Sequence, residues 1–251
     1  MIAKGYRQLK KLYHQLGPGD VFIGTLASSP LKQSLLIDLL ERGIYCIPSP
    51  LSQCISKSKA VQAVVLKDWM MPNTQVVARR IELIDAINRY NKLGIGAVVT
   101  KENQLHCGHG VRRWENIEAL YNFAAFSKSS FPFVLQPYLS SFTDMRVIIV
   151  NDYVEAYVRY NPNNFRKNIS AGGKRQPCKL DKDNEKFCRS AMQRGKFPFA
   201  HLDLLILETG ECYLSEINLT GGIKGAKISR EKLDHKKQDL LERLANKLHR
   251  S

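Results

Sequence analysis

With 251 residues, the chain has room for one large domain or for two or three small lobes around a cleft, and its 44% apolar content can fill a real core. Lys and Arg number 38 against 23 Asp and Glu, a net charge of +15 that calls for an anionic partner. No run approaches the roughly 18 consecutive apolar residues of a membrane span, and the amino terminus lacks the apolar centre of a secretion signal. A cytoplasmic location is therefore expected. The sequence shows no recognition helix, zinc finger or aromatic RNA-binding strand, so nucleic acid is not expected as the main partner. The six cysteines form no CxxC pair and are expected as free thiols.

The first 16 residues place Ile2, Tyr6, Leu9, Leu12, Tyr13 and Leu16 at helical spacing among Lys4, Arg7, Lys10 and Lys11, which predicts a basic amphipathic helix. After the turn Gly17-Pro18-Gly19-Asp20 comes a short buried strand over 21–23, a helix over 31–42 stopped by Gly43, and a strand over 44–47. A helix over 57–67, a strand over 75–78, a helix over 80–93 and a strand over 97–100 follow, then a helix over 114–126. The carboxyl-terminal half reads as hairpins: strands over 145–150 and 153–158 around Asn151-Asp152, and strands over 201–207 and 212–217 around residues 208–211. A polar loop over 161–177 and a helix over 181–195 separate the hairpins, and a basic helix over 231–250 closes the chain.

The second hairpin carries the strongest chemical signal. A four-residue loop sets Asp203 opposite Glu216, and period-two alternation adds Asn218 to their face, with Leu205, Leu207, Leu214 and Cys212 as its other members. Two carboxylates a strand apart repel and are costly to desolvate. A hard divalent cation removes both penalties, and Asp, Glu and Asn oxygens are what magnesium prefers. The bland alternative is a wet hairpin end with no role. In the first hairpin, the turn sets Asp144 opposite Arg159 and Arg146 opposite Tyr157. Residues alone favour reading that face as a solvated one with a cross-strand ion pair.

The third piece is a strand delivering Lys101 to a turn with Gly108 and Gly110, a form that suits phosphate although GxxxxGK[ST] is absent. His106 and His109 read as incidental loop residues.

Taken in order, these pieces resemble the RimK-like and glutathione-synthetase-like ATP-grasp enzymes from about Lys57 to Gly225. Lys101 with Gly108-x-Gly110-Val111 is similar to the family's lysine and phosphate-covering loop. Val134-Leu135-Gln136-Pro137-Tyr138-Leu139 resembles its adenine hinge, Asp144-Met145-Arg146 its D-x-R, and Arg159 the arginine closing the next strand. Phe165-Arg166-Lys167-Asn168 with Gly172-Gly173 resembles F-R-x-N…GG. Ala200-His201-Leu202-Asp203 resembles A-G-V-D, and Glu216-Ile217-Asn218 resembles E-x-N. Pro137 stands where the hinge usually has an acidic residue, Ser56 where one precedes the upstream lysine Lys57, and the amino-terminal lobe is short.

The resemblance implies an α+β ATP-grasp fold of three lobes: a short Rossmann-like lobe (1–73), a central lid (74–136) and a carboxyl-terminal lobe (137–251). It implies ATP with magnesium, or manganese in its place. Nucleotide would be held by Lys57, Lys101, Gly108, Gly110, Gln136, Pro137, Tyr138, Asp144 and Arg166, and metal by Asp203, Glu216 and Asn218. Arg166, Arg159 and Asn168 would act on the transferring phosphoryl group. The implied activity is carboxylate–amine ligation through an acylphosphate, releasing ADP. The substrates would be an anionic carboxylate and an amine, each a small molecule or an acidic peptide or protein tail, and an oligomer is allowed. A kinase on the same scaffold, and a nucleotide-binding regulator without turnover, are the other readings.

Overall fold

The computed structural model describes residues 1–26, 29–103, 110–126, 131–162 and 172–249. Its mixed α+β architecture contains three sheets. The first is parallel, in the order β1 (Ile2–Lys4), β2 (Val21–Ile23), β3 (Tyr45–Ile47). Helices α1 (Gly5–Leu12) and α2 (Pro30–Glu41) accompany it. The amino terminus is thus not one helix. Ile2–Lys4 pairs with the buried strand β2, and tertiary pairing overrides helical spacing there. Gly5, at φ +70°, turns the chain from strand to helix, a conformation open to glycine.

Two short helices, α3 (Pro50–Ile55) and α4 (Lys59–Val65), lead to the second sheet. Each begins at a serine whose side chain accepts from the first turn, Ser49 and Ser58. The second sheet comprises β4 (Gln75–Val77), β5 (Val98–Glu102), β6 (Val111–Trp114) and β7 (Phe133–Pro137), in the order β4-β7-β5-β6. Helices α5 (Arg80–Lys92) and α6 (Ile117–Phe126) pack on it. Their buried Leu83, Ala86, Tyr90, Ile117 and Leu120 close a separate small core with Val98 and Leu135. Trp114 ends strand β6 rather than opening the helix, because it pairs with Val98 and donates from Nε1 to Thr100 Oγ1 at 2.9 Å.

The third sheet is antiparallel: β8 (Thr143–Val150), β9 (Tyr153–Tyr160), β10 (Lys174–Cys178), β11 (Phe199–Ile206) and β12 (Cys212–Asn218), in the order β10-β9-β8-β11-β12. Helices α7 (Lys182–Arg194) and α8 (Arg230–His249) cover its apolar face. The core between them also takes in Val21, Ile23, Ile47 and Ile55, so the first sheet shares it. Strand β10 lies inside the segment expected to be loop. Its KRQPC sequence has no apolar alternation, and pairing with β9 alone makes it a strand, with Pro177 tolerated at the sheet edge.

Candidate functional site

The first hairpin has the expected register, Asp144 opposite Arg159 and Arg146 opposite Tyr157, around Asn151 at φ +54°. Its charged face is not solvated. Asp144 is 7% exposed and Arg159 5%. Arg159 donates to Asp144 Oδ1 from Nε at 3.1 Å and from Nη2 at 2.5 Å, and Nη2 also lies 3.2 Å from Asp203 Oδ2. Arg146 forks onto the same Asp203, Nε to Oδ1 and Nη2 to Oδ2, the latter at 2.8 Å. Strand β11 lies directly beside β8, with Asp203 in register with Arg146, and this adjacency makes the network. Burial opposes charge on Asp203, but Arg146 and Arg159 outweigh it and hold the carboxyl far below its usual range. Asp144 moves up instead, because burial and the Asp203 charge together exceed the help from Arg159.

Asp203 pairs with Glu216 as expected, through a different register. Near the turn, Ile206 faces Cys212 and Leu204 faces Leu214. The register then shifts between Asp203 and Leu204, so Ser215 is an extra residue on β12. This bulge corrects the expected face: Leu214 and Cys212 align with Leu204 and Ile206, not with Asp203. Leu214 and Ile217, three residues apart, are both fully buried. The bulged Ser215 is turned to use across the cleft, where Lys101 Nζ donates to its Oγ at 3.0 Å and its carbonyl at 3.3 Å.

Lys101 lies opposite Val111 on β6, and Glu102 N–H donates to the Gly110 carbonyl at 2.9 Å, so lysine and glycine turn share one root. Burial lowers the Lys101 ammonium to about 8 against the pull of Glu216, and the nearby Lys59 adds to the lowering. Lys59 was missed in the sequence; the proposed Lys57 stands two residues earlier, its N–H on the Cys54 carbonyl at 3.1 Å. The signal for Lys59 was Ser58, which caps α4 and places its first residue at the cleft.

At the other end of β5, Val98 faces Pro137, and Tyr138 N–H donates to the Ala97 carbonyl at 2.9 Å. Antiparallel alternation then turns the backbone groups of Pro137 away from β5. Strand β4 reaches only Gln75, opposite Leu135, so the N–H that Pro137 lacks is one this ladder never used. The Gln136 side chain is structural, Nε2 donating to Thr74 Oγ1 at 2.8 Å. Arg113 stacks over Tyr138 with 4.4 Å to the ring centroid.

Among the described residues, no group of three or more His, Cys, Asp or Glu is placed to hold a metal. A cation on the second hairpin therefore needs the Asn218 amide oxygen beside the two carboxylates. The donor chemistry fits: all three supply hard oxygens. Asp203 accepts two N–H groups from Arg146 and has Arg159 Nη2 at 3.2 Å, which leaves about one or two of a carboxylate's roughly four acceptor positions for a cation. Arg166, Asn168 and Gly108 lie outside the described residues, as do His106, Cys107 and His109. The described cysteines, 46, 54, 178, 188 and 212, are free thiols. Among the described residues, no helix is long and apolar enough to cross a membrane.

Residues 55–241 match the model of the RimK-like ATP-grasp domain. A search of curated proteins found no significant match. Among solved structures, the chain resembles the D-cycloserine synthetase DcsG, at 16% identity over 90% of this chain and 83% of that one, with a TM-score of 0.64. It also resembles a Chryseobacterium gregarium RiPP-associated ATP-grasp ligase in complex with ADP and a leader and core peptide, at 15% identity over 89% and 76%, TM-score 0.61. A third likeness is to D-alanyl-alanine synthetase A from Vibrio cholerae, at 14% identity over 92% and 77%, TM-score 0.58. At these identities the likeness is one of fold.

Proposed function

The chain belongs to the RimK-like ATP-grasp family, and we propose that it is an ATP- and magnesium-dependent ligase joining a carboxylate to an amine through an acylphosphate. The observation that carries this reading is the meeting of Lys101, from the lid sheet, with the bulged Ser215 beside Glu216 and Asp203, from the carboxyl-terminal sheet. The spacing supports it. Lys101 and Val98 are three residues apart on β5, about 10 Å along a strand, the span from a polyphosphate to an adenine lying at Pro137 and Leu139.

Phosphoryl transfer asks mainly for positioning and charge neutralisation. Lys101 and Lys59 face the polyphosphate, Gly110 stands at the root of the glycine turn beside it, Gly108 carries the resemblance to the phosphate-covering loop, and the Pro137 carbonyl and Leu139 N–H meet adenine. Asp203, Glu216 and Asn218 would hold magnesium, which when bound would offset the charge on the phosphate oxygens. Arg146 and Arg159 fix Asp203 in place. Arg166 and Asn168 carry the resemblance to the loop that acts on the transferring group. A substrate carboxylate oxygen attacks the γ-phosphorus as the bond to the β–γ bridging oxygen breaks, and ADP leaves. The amine nitrogen then attacks the acyl carbon, the carbon–oxygen bond to the phosphoryl group breaks, phosphate departs and the nitrogen proton passes to solvent. The net charge of +15 suits an anionic acceptor. Similar structures span a small amino-acid ligase and peptide-bound enzymes, so both classes belong in the assay.

ADP release with magnesium, across a panel of carboxylates and amines that includes acidic peptides, tests the reading when products are weighed by mass spectrometry. A product lighter by water than the sum of its precursors is expected. A phosphorylated product without condensation would mean a kinase, and nucleotide binding without ADP release a regulator. Arg166→Ala should lower kcat by roughly tenfold to a thousandfold, with a smaller change in ATP affinity. Glu216→Gln should do likewise while shifting the magnesium requirement. If neither variant changes kcat or affinity, the site assignment fails.

A further inference from the structure

Next to the Asp203 strand, a polar pair occupies space that an apolar core would fill with less desolvation. His201 on β11 is 2% exposed and Lys237 on α8 is 7% exposed. Lys237 Nζ lies 3.0 Å from His201 Nε2 and donates to the Leu219 carbonyl at 3.0 Å, with the Phe199 ring centroid at 4.8 Å. An ammonium only donates, so facing Lys237 the Nε2 atom accepts and Nδ1 carries the proton. That Nδ1 is buried and finds no partner among the described residues. The ring lies hard against Gly221, where an added Cβ would sit 2.9 Å from both Cγ and Nδ1.

The same turn is held from its other side by two arginines. Arg230 Nη2 donates to the Gly221 carbonyl at 2.9 Å, and Arg146 Nη1 to the Gly222 carbonyl at 3.1 Å. Arg146 is the residue whose fork grips Asp203. Leu219 directly follows Asn218, which pairs with His201 across the hairpin. A continuous chain of contacts thus runs from α8 through His201 and the turn to the carboxylate.

We propose that Lys237 and His201 are positioning residues: they set the Leu219–Gly222 turn so that Gly222 aims Arg146 at Asp203 and Asn218 stays beside Glu216. The proposal rests on the nucleotide–metal reading of that site. A pair serving stability alone would be dispensable, since buried ionic groups are often replaced by apolar ones without loss. A pair that sets the turn would not be.

Calorimetric titration of ADP with and without magnesium, on the wild type, Gly221→Ala, His201→Ala/Gly221→Ala and Lys237→Met, tests it, together with hydrogen exchange over residues 214–225. Gly221→Ala should weaken magnesium-dependent ADP binding about tenfold, within the range for groups that orient metal ligands. The double variant should stay weakened, because relieving the clash also removes the imidazole that sets the turn; recovery to wild-type affinity would overturn the role of His201. Lys237→Met should weaken it similarly and speed exchange across 219–222, while β8 and β9 stay protected. A lowered melting temperature with magnesium-dependent affinity and exchange unchanged in both Gly221→Ala and Lys237→Met would overturn the proposal. Failure of the wild type to bind ADP with magnesium would instead sink the functional reading. Exchange would then decide the positioning role alone, faster exchange over 219–222 in Lys237→Met supporting it and equal exchange overturning it.

Discussion

Arg159 carries two carboxylates at once, and its side chain and that of Asp144 are almost wholly enclosed. Taking one member from a buried ion pair leaves a desolvated charge without compensation, typically a loss of about 3–5 kcal/mol. Arg159→Met should therefore lower unfolding free energy by about that much in urea denaturation. Asp144→Asn/Arg159→Met should return part of it, since the stranded carboxylate is removed. A loss in the single variant below about 1 kcal/mol, the level of an exposed pair, would show that water reaches the site. The partner of Arg159 was legible because a two-residue turn fixes the register of its hairpin. Its burial was not. The face is closed by β11 on one flank and β10 on the other, and neither adjacency is written in the hairpin itself. Lys59 was missed for a related reason: lysines 57 and 59 differ only in which one follows the capping Ser58.

Strand β12 is a sheet edge, and an edge leaves backbone groups without a ladder. Side chains from the α3–α4 segment take that place. Gln62 on α4 accepts from Ile217 N–H at 3.1 Å and donates to the Ile217 carbonyl at 3.0 Å, and Ser56 Oγ accepts from Leu219 N–H at 2.9 Å. Ile217 lies between Glu216 and Asn218, so the amide that completes the edge also fixes the strand presenting the proposed metal ligands. Gln62→Ala orphans a buried donor and a buried acceptor, at about 1–3 kcal/mol for each group left unmade. Equilibrium denaturation should show a loss of about 2 kcal/mol or more, and magnesium-dependent ADP binding should weaken with it. Unchanged stability would mean the edge is completed by other groups. The Ser215 bulge belongs to this element too, and its signal was present: buried Leu214 and Ile217 stand three apart, where a regular strand alternates by two. Strand β10 gave no comparable sign, since a polar edge strand has no apolar period to read.

At the scale of the whole molecule, the second sheet has its own core, while the first packs residues both into a core of its own and into that of the third. A division into three lobes was implied by the family resemblance; the joints between them were not, because they are made by single polar side chains. Asn103, at the end of β5, accepts from Ser58 Oγ at 2.8 Å and from Ala60 N–H at 3.0 Å, and Lys101 reaches Ser215 across the cleft. Lys101 thus links the second sheet to the strand of the proposed metal ligands and is also a cation proposed to meet the polyphosphate. These roles predict different outcomes for Lys101→Ala. The bonds to Ser215 join part-buried groups, and removing the ammonium also removes the cost of burying it, so their loss should barely alter stability. A charge-assisted contact to phosphate contributes about 1.5–3 kcal/mol, which corresponds to roughly a ten- to hundredfold loss of ATP-analogue affinity. Circular dichroism and thermal melting should match the wild type while calorimetry records the weakened binding. An unfolded variant would make Lys101 a structural residue, and full affinity would place the polyphosphate elsewhere. Lys101→Arg separates charge from geometry: it keeps the cation but spreads it over a planar fork, so partial recovery of affinity is expected if phosphate is what the residue meets.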